Sequence, residues 1–182
     1  MSFCEKPAAE PCGMDLLTGL VTRRSIRKFT EEPVTEAQLK LIAQAGLCAP
    51  SARNRRPFEL VVLQKRETLE KLAQINAHAP MLGTAAAAIV VCGNDPAEHH
   101  PQFLEQVCGA VLENILLAAH GLGLGAVWCG VLNDTDWQAD LSALLNLPAG
   151  ICPRGVVAIG HPDQQPEPRD YWTPEKIHLE QW

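Results

Sequence analysis

Four cations fall within six residues at Arg23-Arg24-Ser25-Ile26-Arg27-Lys28-Phe29, in a chain whose net charge is −6. A solvated basic tail has no use for Ile26 and Phe29, and this stretch leads directly into a capped helix. Ordered like charges need a counter-charge, so the segment predicts a bound anion. Guanidinium groups favour phosphate, because their planar fork meets two oxygens at once. A helix C-terminus would account for Arg23 and Arg24, since residues 15–22 read as a short helix and cations stabilise its negative end. It does not account for Arg27, which lies beyond that helix.

The rest of the chain divides into recognisable elements. Met14, Leu16, Leu17, Leu20 and Val21 recur at helical intervals. Thr35-Glu36-Ala37-Gln38 is a capping-box pattern after Pro33 and opens a helix with Leu39, Ile42, Ala43 and Gly46 on one face. Ala49-Pro50-Ser51-Ala52-Arg53-Asn54-Arg55-Arg56-Pro57 is a second basic cluster between prolines. The two clusters hold seven of the 15 Lys and Arg residues. Residues 58–64 read as a strand, central because nearly all apolar. Residues 66–75 form an amphipathic helix, 85–92 a buried strand and 102–120 the longest helix. A strand over 126–131, a helix capped at 133–136 and running to 147, and a strand within 153–160 follow. Residues 161–182 lack periodicity yet carry Tyr171, Trp172, Ile177, Leu179 and Trp182, apolar surface that another subunit is expected to cover.

Bulk properties bound the function. A chain of 182 residues, 47% hydrophobic and 20% charged, fits one globular domain with a real core. Residues 1–13 carry charges and prolines where a signal peptide needs an apolar run, so they read as a poorly ordered extension to a domain over 14–182. No apolar run has the length of a membrane span. The seven cysteines, an odd number, include Cys48, Cys92, Cys108 and Cys129 in apolar contexts, as expected of small buried residues in a cytoplasmic protein. The acidic balance argues against nucleic acid as a partner.

Motifs for protein-borne chemistry are scarce. Gly121-x-Gly123-x-x-Ala126 matches the dinucleotide fingerprint as a string, but a helix precedes it and a strand follows, the reverse of what pyrophosphate binding needs. It reads as a helix C-cap and turn. Cys4 with Cys12, the pair His99-His100 and the isolated histidines lack zinc-ligand spacing. Cys129, between Trp128 and Gly130 on a strand, reads as a small buried residue and not as a nucleophile. Clustered arginines on an apolar scaffold suit a protein that binds a phosphate-bearing cofactor and lets it carry the reaction.

With those stretches assembled, the sequence resembles the FMN-dependent nitroreductase family from about Met14 to Arg169. The resemblance rests on residues 23–29, residues 49–58, Leu122-Gly123-Leu124-Gly125-Ala126-Val127-Trp128-Cys129-Gly130, and Ile159-Gly160-His161-Pro162 with Pro168-Arg169, all in family order. It implies an α+β fold with a mixed β-sheet flanked by helices. It also implies an interlocked homodimer, two FMN sites at its interface, and residues 170–182 as a tail on the partner. By the same resemblance, Arg23, Arg24 and Ser25 hold the phosphate and ribityl chain, Arg169 joins them, and Arg27 lies near flavin N1 and O2. Pro50, Ser51, Ala52 and Asn54 come from the partner, and Trp128, Cys129 and Gly130 pack on the flavin's other face with backbone donors toward N5 and O4. Glu167 stands where a second cation is frequent. NADH or NADPH is then the hydride donor and a nitroaromatic, quinone or similar electron-poor molecule the acceptor. Reductive dehalogenation, flavin fragmentation and a non-catalytic flavin-binding module remain open alternatives.

Overall fold

A computed structural model describes residues 13–98, 100–167 and 169–182. The expected N-terminal extension, with Cys4 and Cys12, falls almost wholly outside the described residues, as do His99 and Pro168.

Helix α1 (Leu16–Thr22) starts where Asp15 accepts a hydrogen bond from the Thr18 amide at 3.0 Å. Helix α2 (Glu36–Leu47) opens with both halves of the capping box formed between Thr35 and Gln38. Its buried face is Leu39, Ile42, Ala43 and Gly46, as the periodicity predicts. Strand β1 (Phe58–Leu63), helix α3 (Arg66–Ile75) and strand β2 (Ala87–Asn94) follow. Helix α4 (Pro101–Gly121), strand β3 (Gly125–Gly130), helix α5 (Asp136–Leu144) and strand β4 (Ile151–Gly160) complete the core.

The sheet order is β1-β2-β4-β3, and all three ladders are antiparallel. The expected mixed sheet is therefore corrected: the described chain has one parallel contact, the isolated bridge between Ser25 and Ala126. β1 is an edge strand, not the central one its composition predicts. β2 holds an inner position and is buried on both faces. One face carries Ile89, Val91, Val157 and Ile159 under α2 and α4; the other carries Val90, Cys92, Val156 and Ala158 with α3 and α5. Alternation along a strand makes this division, and two apolar faces require helices on both.

Three polar residues of α4 act as tethers. Glu105 pairs with Arg154 at 3.2 Å, Glu113 with Arg23 at 3.4 Å, and the Asn114 amide donates to the Ala45 carbonyl at 3.0 Å. Among the described residues no helix is long and apolar enough to cross a membrane. Cys92 and Cys108 are buried as expected, whereas Cys48, at the C-cap of α2, is exposed.

Candidate functional site

The basic segment is seated by two paired glycines. Gly125 of β3 lies opposite Gly160 of β4. A Cβ on Gly125 would sit 2.6 Å from Ile26 Cγ2, and one on Gly160 would sit 2.8 Å from Phe29 Cδ1. Both glycines therefore leave a bare patch of sheet on which Ile26 and Phe29 pack, each at most 9% exposed. The Ile26 amide donates to the Ala126 carbonyl at 2.9 Å, and Phe29 bridges Pro162. Two apolar anchors thus fix the backbone, and the cations between and beside them stay at the surface.

Each cation meets a different surrounding. Arg23, the C-cap of α1, pairs with Glu113. Arg24 donates to the carbonyls of Val21, Arg23 and Arg169, and its guanidinium lies 5.2 Å from the Tyr171 ring centre. Arg24 Nε is buried without a hydrogen-bond partner among the described residues. An unpaired guanidinium donor is costly unless an acceptor arrives, and a phosphate oxygen suits it. His120, at the end of α4, contacts Thr22 Oγ1 at 2.8 Å. Burial first, then Arg23 and Arg24, hold its pKa below the ordinary histidine value.

Arg27 faces a cavity of about 220 Å³ together with Asn76, His78, Met81, Cys129 and Gly130. Because Ala126 turns its carbonyl to Ile26, strand alternation turns the peptide groups of Trp128 and Gly130 the same way, while Val127 and Cys129 bond toward β4. The cavity therefore borders an outward-facing peptide edge of β3. The side chains of Trp128 and Cys129 leave that strand on opposite faces. The indole lies near Gly109 and Gly155, and the thiol lies 3.9 Å from Met81 Sδ. Burial pushes the Cys129 thiol up to about 11, with Arg27 drawing it partly back. The thiol stays protonated at neutral pH, but Cys129 is half-buried at the cavity and not the buried residue that the sequence reading expects.

The second cluster lies elsewhere in the chain. Residues 50–57 lead into β1, at the opposite sheet edge from β3, with two strands between them. At the usual strand spacing that separation is about 14 Å. Arg55 pairs with the nearly buried Glu98 at 3.0 Å, and Arg56 donates to the Leu47 carbonyl at 3.0 Å. Both therefore brace the loop. Arg53, Asn54 and Arg56 all have φ near +50°, at 54°, 53° and 53°. Such left-handed residues are uncommon and gather at functional loops. Pro50, Ala52 and Asn54 are exposed and Ser51 half-buried, its hydroxyl accepting from the Arg56 amide at 2.8 Å. One chain brings Arg23, Arg24, Ser25, Arg27, Arg169 and the β3 edge together, and leaves residues 50–54 apart.

Asn76, His78 and Gln164 are site neighbours that sequence reading missed, each in a turn or an aperiodic stretch where neither spacing nor composition marks it. Tyr171, read from the sequence only as apolar tail surface, lies by Arg24.

These features fit a flat, phosphate-bearing cofactor: a buried donor without an acceptor, a basic segment, and a peptide edge beside Arg27. The family model described as Nitroreductase family matches residues 20–79 and 76–161. The chain belongs to the nitroreductase family. A Methanothermobacter thermautotrophicus protein, provisionally named NADH dehydrogenase/NAD(P)H nitroreductase, is 41% identical over 169 residues, 93% of this chain and 88% of that protein. The Vibrio harveyi NADPH:FMN oxidoreductase complexed with NAD+ superposes with a TM-score of 0.80 at 30% identity, covering 91% of this chain and 77% of the other. A Desulfovibrio desulfuricans protein, provisionally named a nitroreductase and in complex with FMN, gives a TM-score of 0.78 at 29% identity, covering 96% of this chain and 99% of the other. The matched stretch contains both basic clusters and all four strands of the nitroreductase fold.

Proposed function

We propose that the chain is an FMN-dependent oxidoreductase that moves hydride from NADH or NADPH to an electron-poor acceptor such as a nitroaromatic or a quinone. The observation that carries this reading is the cavity that Arg27 shares with the outward edge of β3, on the same short basic segment as Arg24 with its unpaired donor. Arg23, Arg24, Ser25 and Arg169 would take the phosphate and ribityl end, where Arg24 Nε lacks an acceptor. Arg27 would face the pyrimidine end of the ring, with Trp128 and Gly130 offering peptide groups along its edge. FMN, when bound there, supplies the redox chemistry, hydride in from the nicotinamide and hydride out to the acceptor. The chain's residues bind and orient. Arg27 stabilises the negative charge that develops on reduction, a contribution largest where water is excluded. The protonated Cys129 stays out of the chemistry.

The active form would be a homodimer in which the partner's loop 50–54 completes each site. Three features support it. Leu16, Leu17, Leu20 and Val21 of α1 are 71, 72, 47 and 66% exposed. Beside them runs a groove of about 540 Å³ lined by Leu41, Ala45, Leu117, Ala118 and Leu122. The tail exposes Tyr171, Trp172, Ile177, Leu179 and Trp182. Apolar patches of this kind mark interaction surfaces. Residues 170–182 would cross to the partner.

A spectrum of the purified protein tests the reading, followed by anaerobic mixing with NADH or NADPH and then with a quinone. Flavin absorbance that bleaches with nicotinamide and returns with quinone is expected. A protein that neither carries flavin nor gains its absorbance with added FMN refutes it. Bleaching without reoxidation by any acceptor would favour a non-catalytic flavin module.

A further inference from the structure

The Gln164 side chain holds a place that the proposed activity does not explain. Its Oε1 accepts hydrogen bonds from two successive backbone amides, Arg27 and Lys28, each at 2.9 Å. Around it the chain after β4 runs antiparallel to the basic segment. The Asp163 amide donates to the Lys28 carbonyl and the Thr30 amide to the His161 carbonyl, both at 2.9 Å. The bridge between Phe29 and Pro162 lies between them. Backbone pairing thus covers Ile26, the Lys28 carbonyl and Thr30, while the amides of Arg27 and Lys28 go to one side-chain oxygen. Two successive amides aimed at one point make a small concavity that suits an anion or a carbonyl oxygen. Gln164 fills it with a neutral oxygen from within the chain.

Resting on the reading of this site as a flavin site, we infer that Gln164 is a positioning residue. It fixes the backbone from which Arg27 reaches the cavity, and it sets the register of the tail that carries Arg169 and Tyr171 to Arg24. Ile26 and Phe29 anchor the segment at two points, and the two residues between them are exposed. Gln164, together with the Asp163 amide on the Lys28 carbonyl, holds their peptide groups in place. Its chemistry is specific. An acceptor of this reach is needed, a donor in its place would oppose both amides, and a carboxylate would keep both bonds but place an anion beside Arg27.

The full-length protein with Gln164→Met and Gln164→Glu tests this, through amide exchange at Arg27 and Lys28 without added flavin, then FMN dissociation constant and flavin midpoint potential. Gln164→Met keeps the bulk and removes the acceptor, so exchange at both amides should quicken about tenfold and FMN affinity fall by about the same factor. Gln164→Glu should restore amide protection while shifting the potential downward, because a carboxylate offsets the Arg27 charge. Unchanged exchange in Gln164→Met overturns the latch. Faster exchange with FMN affinity and potential both unaltered shows a merely structural contact and overturns the positioning role. A wild-type protein that takes up no FMN sinks the flavin reading instead, and amide exchange then judges the latch on its own.

Discussion

The glycine pair under the basic segment yields the sharpest test of how the site is held. An alanine methyl at Gly160 would lie 2.8 Å from Phe29 Cδ1, 3.0 Å from Cγ and 3.1 Å from Cβ. Atoms so near the Phe29 backbone cannot swing aside, so the segment itself must lift. Overpacking of this kind costs about 1–3 kcal/mol. Phe29→Ala alone should cost about 3–5 kcal/mol, because the ring is 9% exposed. Combined, the two changes should be less harmful than their sum. The new methyl enters the space the ring vacates, and removing a strand glycine returns roughly 0.5–1 kcal/mol of backbone entropy. Urea denaturation of wild type, both single variants and the double variant gives the coupling directly. An interaction of about 1–3 kcal/mol is expected, together with weaker FMN binding in Gly160→Ala alone. Additivity within about 0.5 kcal/mol would show that ring and glycine do not share that space, and the seating argument would fail.

Three further outcomes follow from the same geometry. Arg24→Ala should weaken FMN about 10- to 100-fold by fluorescence titration and leave riboflavin nearly unaffected, whereas Arg27→Ala should weaken both. Burial pushes the Cys92 and Cys108 thiols up to about 12. The unfolded chain releases those protons near pH 9 and the folded chain does not, so stability should fall as pH rises above about 9. The loss is on the order of 1 kcal/mol per thiol by about pH 10; urea midpoints across that range check it, and a flat profile contradicts it. Deleting residues 170–182 should turn a dimer into a monomer by sedimentation and reduce flavin retention; an intact dimer would show that the tail packs elsewhere.

Local physics was legible in the sequence. The capping box at Thr35, the helix over 66–75 and the turn at Gly123, with φ of +75°, each depend on neighbours a few residues apart. Contacts across the chain were not. Nothing near Gln164 signals that its side chain serves Arg27, 137 residues away. Nor does the string Trp128-Cys129-Gly130 announce which face of the sheet Trp128 and Cys129 each take, because that follows from how β3 pairs with β4.

The misreading of β1 carries more physical content. Phe-Glu-Leu-Val-Val-Leu has the composition of a strand covered on both sides, yet β1 stands at an edge with most of its residues half-buried. A long apolar edge strand invites pairing with another chain unless it is covered. The exposed leucines of α1 and the aromatic tail show the same mismatch: more apolar surface than one chain can bury. Three separate elements share it, and the loop with three left-handed residues adjoins the first of them. The proposed homodimer would account for the strand, the helix and the tail together, as surfaces covered by a second copy whose loop 50–54 would stand beside the Arg27 cavity.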